Sequence, residues 1–383
     1  MKKKYIIFSI VTLVLLITFV TSFNYFKTTN TYVENNSNNQ TKITKGISMN
    51  LEQTVGAGDY KTVTQSNWPK EGYKFNSNLS RCENGSELGW DDTKKTIVFS
   101  GNVSDKCYVY FDIFIPKIPD VCNSGDTLAD CIKNFGDQGS SVSSIYIHNS
   151  TLTNGAGDNS YRYAGASDSV NNYICLGSDA TTCPDANLFR IIGIFGDKTK
   201  VIRAKSVGKK QWDTNNSNTW SSSSLNTYLN GEYLTSLGTL ADKIATTTWK
   251  VGGGTYGNIE ASVPKIVYQY EVGSSASSTR VNKKIGLMYV SDYGFAASQE
   301  VWTTKLISYD SNTSKNWLFL GSIEWTISRN SDLTRDVFRV TGTGTVNANF
   351  VTYSLGVRPS FNLESSVKYV SGSGSMSDPV RVN

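Results

Sequence analysis

The feature that most constrains this chain lies at its start. Lys2, Lys3 and Lys4 precede the apolar run YIIFSIVTLVLLITFV, and no further charge occurs before Lys27. About 20 uncharged, mostly apolar residues are enough to cross a bilayer as a helix, with the lysines held on the cytoplasmic side. A secretory signal peptide has the same shape, and Val20-Thr21-Ser22 offers it a small-residue cleavage site. We expect residues 1–26 to be a membrane anchor, touching the bilayer through residues 5–26, with a cleaved signal peptide as the alternative. On the first reading the protein is a single-pass cell-membrane protein with an extracellular C-terminal domain; on the second it is secreted.

The cysteines agree with a location outside the cytoplasm. There are six, Cys82, Cys107, Cys122, Cys131, Cys175 and Cys183, and an even set in an oxidising compartment reads as disulfides. Sequence order suggests the pairs Cys82–Cys107, Cys122–Cys131 and Cys175–Cys183, each closing a short loop. A metal site is the rival reading, but no C-x-x-C occurs and the single histidine, His148, stands apart from every cysteine pair. No metal and no cofactor is expected.

With 383 residues the chain has room for two domains. Charged residues make up only 18% and aromatics 12%, a balance that favours strands and turns over long charged helices. The net charge of +5 includes the three N-terminal lysines. Without a Lys/Arg-dense block interleaved with aromatics, a nucleic-acid partner is not expected.

Along the chain, residues 27–56 are rich in Asn, Thr and Ser and read as a solvated stalk. Residues 57–115 read as a small β module, with strand-forming runs at Tyr73–Phe75, Thr96–Phe99 and Cys107–Phe111 and turns at Asn84-Gly85 and Ser100-Gly101. Pro116 and Pro119 mark a boundary. Residues 116–140 then carry a short helix, with Asp126 as N-cap, Gly136 as stop, and Leu128, Cys131, Ile132 and Phe135 on one face. Residues 141–383 read as one larger, strand-dominated unit. Its strands include Leu188–Phe195, Lys200–Arg203, Lys284–Val290, Trp317–Leu320, Ile323–Ser328 and Gly356–Leu363. A helix starts near Ser223, a short one covers Thr239 to Ala245, and the class is α+β.

The segments YRYAGASDSVNNYICLGSDATTCPDANLFRIIGIFGD, KIATTTWKVGG, IGLMYVSDYGFAAS, WTISRNSD and GVRPSFNLESSVKYVSGSGSMSDPVRVN resemble a family of surface proteins from low-GC Gram-positive gut bacteria. The module GYKFNSNLSRCENGSELGWDDTKKTIVFSGNVSDKCYVYFD is similar to one found ahead of that domain. More distantly, the Trp-Arg strand and the terminal Gly-Val-Arg-Pro are similar to the formylglycine-generating-enzyme (sulfatase-modifying-factor) fold, a C-type-lectin-like architecture. The resemblance implies that architecture and an extracellular location. It does not carry over formylglycine generation, because those enzymes use cysteines near the C-terminal end of the domain and this chain has none after Cys183. The Glu-Pro-Asn, Gln-Pro-Asp and Trp-Asn-Asp motifs of calcium-dependent lectins are also missing.

Candidate site residues follow from residue chemistry. His148, in IYIHNST, is the histidine that any Ser-His-Asp or Cys-His arrangement would need, and its position at a strand end beside turn residues reads as an incidental surface histidine. No catalytic residue is assigned. Arg329 after WTIS and Arg358 before Pro359 carry planar five-donor guanidinium groups suited to tying backbone carbonyls or a carboxylate together; either could instead face a ligand. Trp302, Tyr309 and Trp325 are the aromatics expected to line a surface groove, where rings stack on sugars or fill protein interfaces. Asp91-Asp92 and Asp332/Asp336 are the carboxylate pairs a glycosidase would need. The expected function is a non-enzymatic extracellular binding protein or adhesin recognising glycans or proteins. A structural filament subunit and a cell-wall- or glycan-acting enzyme are the alternatives.

Overall fold

The computed structural model describes residues 46–63, 72–91, 94–102 and 104–383. The expected membrane anchor, most of the expected stalk, and Asp92 lie outside the described residues. Among the described residues no helix is long and apolar enough to cross a membrane. The chain divides into two compact units, one ending at Ile115 and one beginning at Pro116.

In the first unit the strand Cys107–Ile113 is central. It pairs in parallel with Ile47–Glu52 and antiparallel with Tyr73–Phe75 and Arg81–Cys82, while Tyr60–Val63 extends the sheet beyond Ile47–Glu52. The strand Ile47–Glu52 corrects the expected stalk boundary. ISMNLE alternates apolar and polar, and Met49 and Leu51 join Val109 and Phe111 in the core. Cys82 lies directly opposite Cys107 in the register, and the two are joined. A core this small benefits from the link, whose loop of 25 residues contributes about 3 kcal/mol on chain-entropy grounds.

The second unit is α+β. A nine-stranded mixed sheet is built around Leu188–Phe195 and Lys198–Arg203, and a five-stranded sheet around Glu324–Arg329 and Asp336–Val340. The helix Leu128–Gly136 does not belong to a separate segment: Leu128, Cys131, Ile132 and Phe135 enter the same core as Ile191, Val201 and Trp325. Its N-cap is Thr127, whose hydroxyl accepts from Asp130 N, rather than Asp126. The pairs Cys122–Cys131 and Cys175–Cys183 are both joined.

The long strand expected over Gly356–Leu363 is split in two. Ser354–Gly356 belongs to the five-stranded sheet and Ser360–Asn362 to the nine-stranded sheet. Pro359 has no N–H to donate to a ladder, so the chain crosses from one sheet to the other through Val357-Arg358-Pro359. The expected strand over Lys284–Val290 shrinks to Ile285–Gly286, after which Val290–Phe295 is helical. A helix over Pro264–Glu271, started by proline at its first position, was not foreseen from sequence.

Candidate functional site

Two clusters in the second unit carry more chemistry than their surroundings, one buried and one exposed. The buried one is laid out by strand register. Gly193 stands opposite Lys200 on one neighbouring strand and opposite Arg162 on the other. A Cβ at Gly193 would lie 2.1 Å from the Tyr161 carbonyl, so glycine is what lets that strand approach. Residues directly opposed across a sheet share a face, which sets Lys200 and Arg162 on either side of Gly193. From the helix Val290–Phe295, Asp292 meets both: Lys200 Nζ lies 2.5 Å from Oδ2, and an Arg162 terminal nitrogen 3.8 Å from Oδ1. Arg162 also binds Asp158 at 2.7 Å.

Aromatic rings wall this centre. Lys200 Nζ is 4.7 Å from the centre of the Tyr289 ring and 5.5 Å from those of Phe195 and Trp249. The Arg162 guanidinium sits between Phe195, Tyr268 and Phe295. Glu271, at the end of Pro264–Glu271, accepts from Val290 N at 3.0 Å, Ser291 N at 2.8 Å and the Ser328 hydroxyl. Burial pushes its carboxyl up to about 7 against those hydrogen bonds. Burial likewise depresses the Lys200 ammonium, with Asp292 acting the other way. For Asp158 burial raises the pKa, but Arg162 and Ser160 outweigh it and hold the carboxyl at about 2.

His148 adjoins this centre and is fully buried, which corrects the surface placement expected from its turn-rich sequence. Its Nδ1 accepts from Ala156 N at 3.0 Å, and its ring packs on Phe295 and Trp302. Desolvation first, then the Arg162 charge, lower its pKa to about 2. The imidazole is neutral there.

The aromatics expected to line a surface groove are core residues instead. Trp302, Tyr309 and Trp325 are each at most 1% exposed. Their polar ends are used on backbone carbonyls: Trp302 Nε1 donates to Ala297 O, the Tyr309 hydroxyl to Gly294 O, and Trp325 Nε1 to Lys210 O. With no free ring face, none can stack on an external ligand. Arg358 is buried in a pair with Glu324 at 2.7 Å and donates to Leu318 O. Arg329 is half-buried and its Nε donates to Gly252 O. In the first unit Cys82, Asp105 and Cys107 lie close enough to suggest a metal site, but the sulfurs are bonded to each other. The Asp105 carboxylate accepts from Asn84 N, Asn84 Nδ2 and Ser86 N.

The exposed cluster is formed by residues that no sequence motif singles out. Phe350 ends the strand Val346–Phe350, and Tyr353 follows in a turn closed by Tyr353 N donating to Phe350 O at 3.1 Å. The turn is pinned from below. Val351 is buried, its carbonyl accepts from Trp212 N and Asp213 N, and Thr352 O accepts from Gln211 Nε2 at 2.7 Å. As a result the two outer rings lie 6.3 Å apart with planes only 11° from parallel. Phe350 is 41% exposed and Tyr353 53%. The Arg335 guanidinium lies 4.8 Å from the centre of the Phe350 ring. On the next strand Arg339 donates from Nε to Asn347 Oδ1 at 2.9 Å. Burial lowers the Arg339 pKa while the neighbouring Tyr353 phenol raises it. Of the expected carboxylate pair, Asp336 is buried beside Arg335 with its pKa raised by burial, and Asp332 is exposed. This patch offers two partly exposed, near-parallel aromatic rings with guanidinium and amide groups beside them.

Neither a curated protein nor a solved structure matches the chain. Residues 196–365, a span that holds Lys200, Glu271, Asp292, Phe350, Tyr353 and Arg358 and begins after Asp158 and Arg162, match the family model described as Domain of unknown function (DUF6273).

Proposed function

We propose that the chain is a cell-surface binding protein, held by its N-terminal segment with both folded units outside the cytoplasm, and that it recognises glycans. On this reading the second unit is a C-type-lectin-like head and Phe350 and Tyr353 form its contact surface. The observation that carries the reading is the near-parallel, solvent-facing ring pair on a turn held rigid from beneath. Exposed aromatic faces pack against the apolar face of a sugar ring while polar neighbours reach its hydroxyls. Arg335 and Arg339 add positive charge, so a sugar bearing a carboxylate is the favoured ligand.

The three disulfides suit an oxidising location. An enzyme acting on glycans would need carboxylates converging in a cleft. The groove of about 430 Å³ lined by Ser206, Lys209, Ser322, Ile323, Ser354 and Leu355, among others, carries none. The test is binding of the detergent-solubilised full chain to a panel of neutral and acidic glycans. Retention of acidic glycans that weakens with salt supports the proposal. No retention of any glycan, or self-association without a ligand, would overturn it.

A further inference from the structure

We propose that Lys200 and Asp292 become joined by an intramolecular amide bond between Nζ and Cγ, a covalent link between the central sheet and the helix Val290–Phe295. The geometry already holds the two reacting groups together. Nζ lies 2.5 Å from Oδ2, and both residues are 5% exposed or less. The amine is ringed by Phe195, Trp249 and Tyr289. Asp292 is also fixed from its own side, because Oδ2 accepts from Tyr289 N at 2.8 Å. Groups held at this distance react as if at very high concentration.

Burial disfavours the charged ammonium of Lys200, the form that cannot act as a nucleophile. Condensation uses the neutral pair, an amine and a carboxylic acid, and a proton passed from Nζ to Oδ2 along their 2.5 Å contact is the step that supplies it. The amine nitrogen attacks Cγ and the Nζ–Cγ bond forms. Charge developing on Oδ1 faces the Arg162 guanidinium at 3.8 Å. The Cγ–Oδ2 bond then breaks, and Oδ2 leaves with its own proton and one from the amine as a single water. Atoms and electrons balance with no oxidant, reductant or co-reactant. A sealed aromatic site disfavours the reverse hydrolysis, since it excludes the water that step requires.

Glu271 holds the start of the helix that carries Asp292, accepting from Val290 N at 3.0 Å and Ser291 N at 2.8 Å. It is fully buried, its carboxyl is raised to about 7 chiefly by burial and further by the Asp292 charge, and its own charge acts on Lys200. After condensation the remaining charges close on themselves, because Arg162 keeps Asp158 as its partner at 2.7 Å. The link is independent of the glycan reading, since its residues are buried and need no ligand.

The test is mass spectrometry of the purified full chain, reduced, unfolded and digested with trypsin. The expected result is one branched peptide that carries both Lys200 and Asp292 and is lighter by one water than the sum of its two linear parts. Recovery of the two linear peptides at full mass overturns the proposal, and this outcome does not depend on any variant folding. Lys200→Arg keeps the charge and removes the nucleophile, so its digest should lack the branched peptide; finding the same water loss there would also overturn the assignment. Asp292→Asn should still couple, now with loss of ammonia, and water loss in the digest of that variant would contradict the proposed bond.

Discussion

Arg162 and Arg335 both lay a guanidinium over an aromatic ring, in opposite surroundings. Arg162 is 2% exposed, packed among Phe195, Tyr268 and Phe295, with Asp158 as its anion at 2.7 Å. Arg335 lies over Phe350 at the surface, on the open side of a turn. Out of water each charge must be matched, and the cluster becomes a rigid internal knot. In water the same contact is worth little to stability and stays free to meet a ligand. Burial, more than residue type, separates scaffold from contact surface in this unit.

The comparison breaks first if a buried guanidinium proves dispensable. Arg358→Ala leaves Glu324 buried without its cation and should cost about 3–5 kcal/mol. Arg335→Ala should change stability by less than about 0.5 kcal/mol. Urea unfolding of both variants decides the matter, and equal midpoints would erase the distinction. A step smaller is Gly193→Ala, which forces a methyl onto the Tyr161 carbonyl and should cost about 1–3 kcal/mol as Arg162 is pushed away from the sheet.

Much of this arrangement was legible in the sequence, and the misses have physical reasons. The strand Leu188–Phe195 announced itself as a mostly apolar run interrupted by Arg190, and cysteine order gave all three disulfides. Trp302 and Tyr309 were misplaced because polar neighbours say nothing about where a ring points; they and Trp325 each spend a polar atom on a backbone carbonyl inside the core. The buried centre was missed because its residues come from three distant segments: the register at Gly193 brings Arg162 and Lys200 together, and Asp292 reaches them from a helix. A lysine directly before the apolar pair Val201-Ile202, in a short strand-forming stretch, was the available signal. Phe350 and Tyr353 could have been found as aromatics at the first and last positions of one turn.

The pH dependence sharpens the comparison with a smaller net effect. Glu271 has a folded pKa of about 7 against 4.5 when free, so the folded state holds its proton more tightly. That share of stability is full below about 4.5 and is lost as pH rises toward about 7. His148 works in the opposite sense. Its folded pKa near 2 lies below the free value of 6.5, so its share is present above 6.5 and is lost as pH falls. Between 4.5 and 6.5 the contributions of these two groups to the slope oppose each other. Glu271→Gln should lose stability toward acid across that window, and His148→Gln should gain it. Denaturant midpoints measured across the window check both signs, and parallel profiles for the two variants would show that the buried centre does not titrate in this way.

The most direct test of the surface assignment is calorimetric titration of the best-retained acidic glycan into wild type and into Phe350→Ala/Tyr353→Ala. The account predicts binding at least about tenfold weaker in the double variant, in line with about 1.4 kcal/mol from two lost stacking contacts, with an unchanged melting temperature. Equal affinity in the two proteins would contradict it.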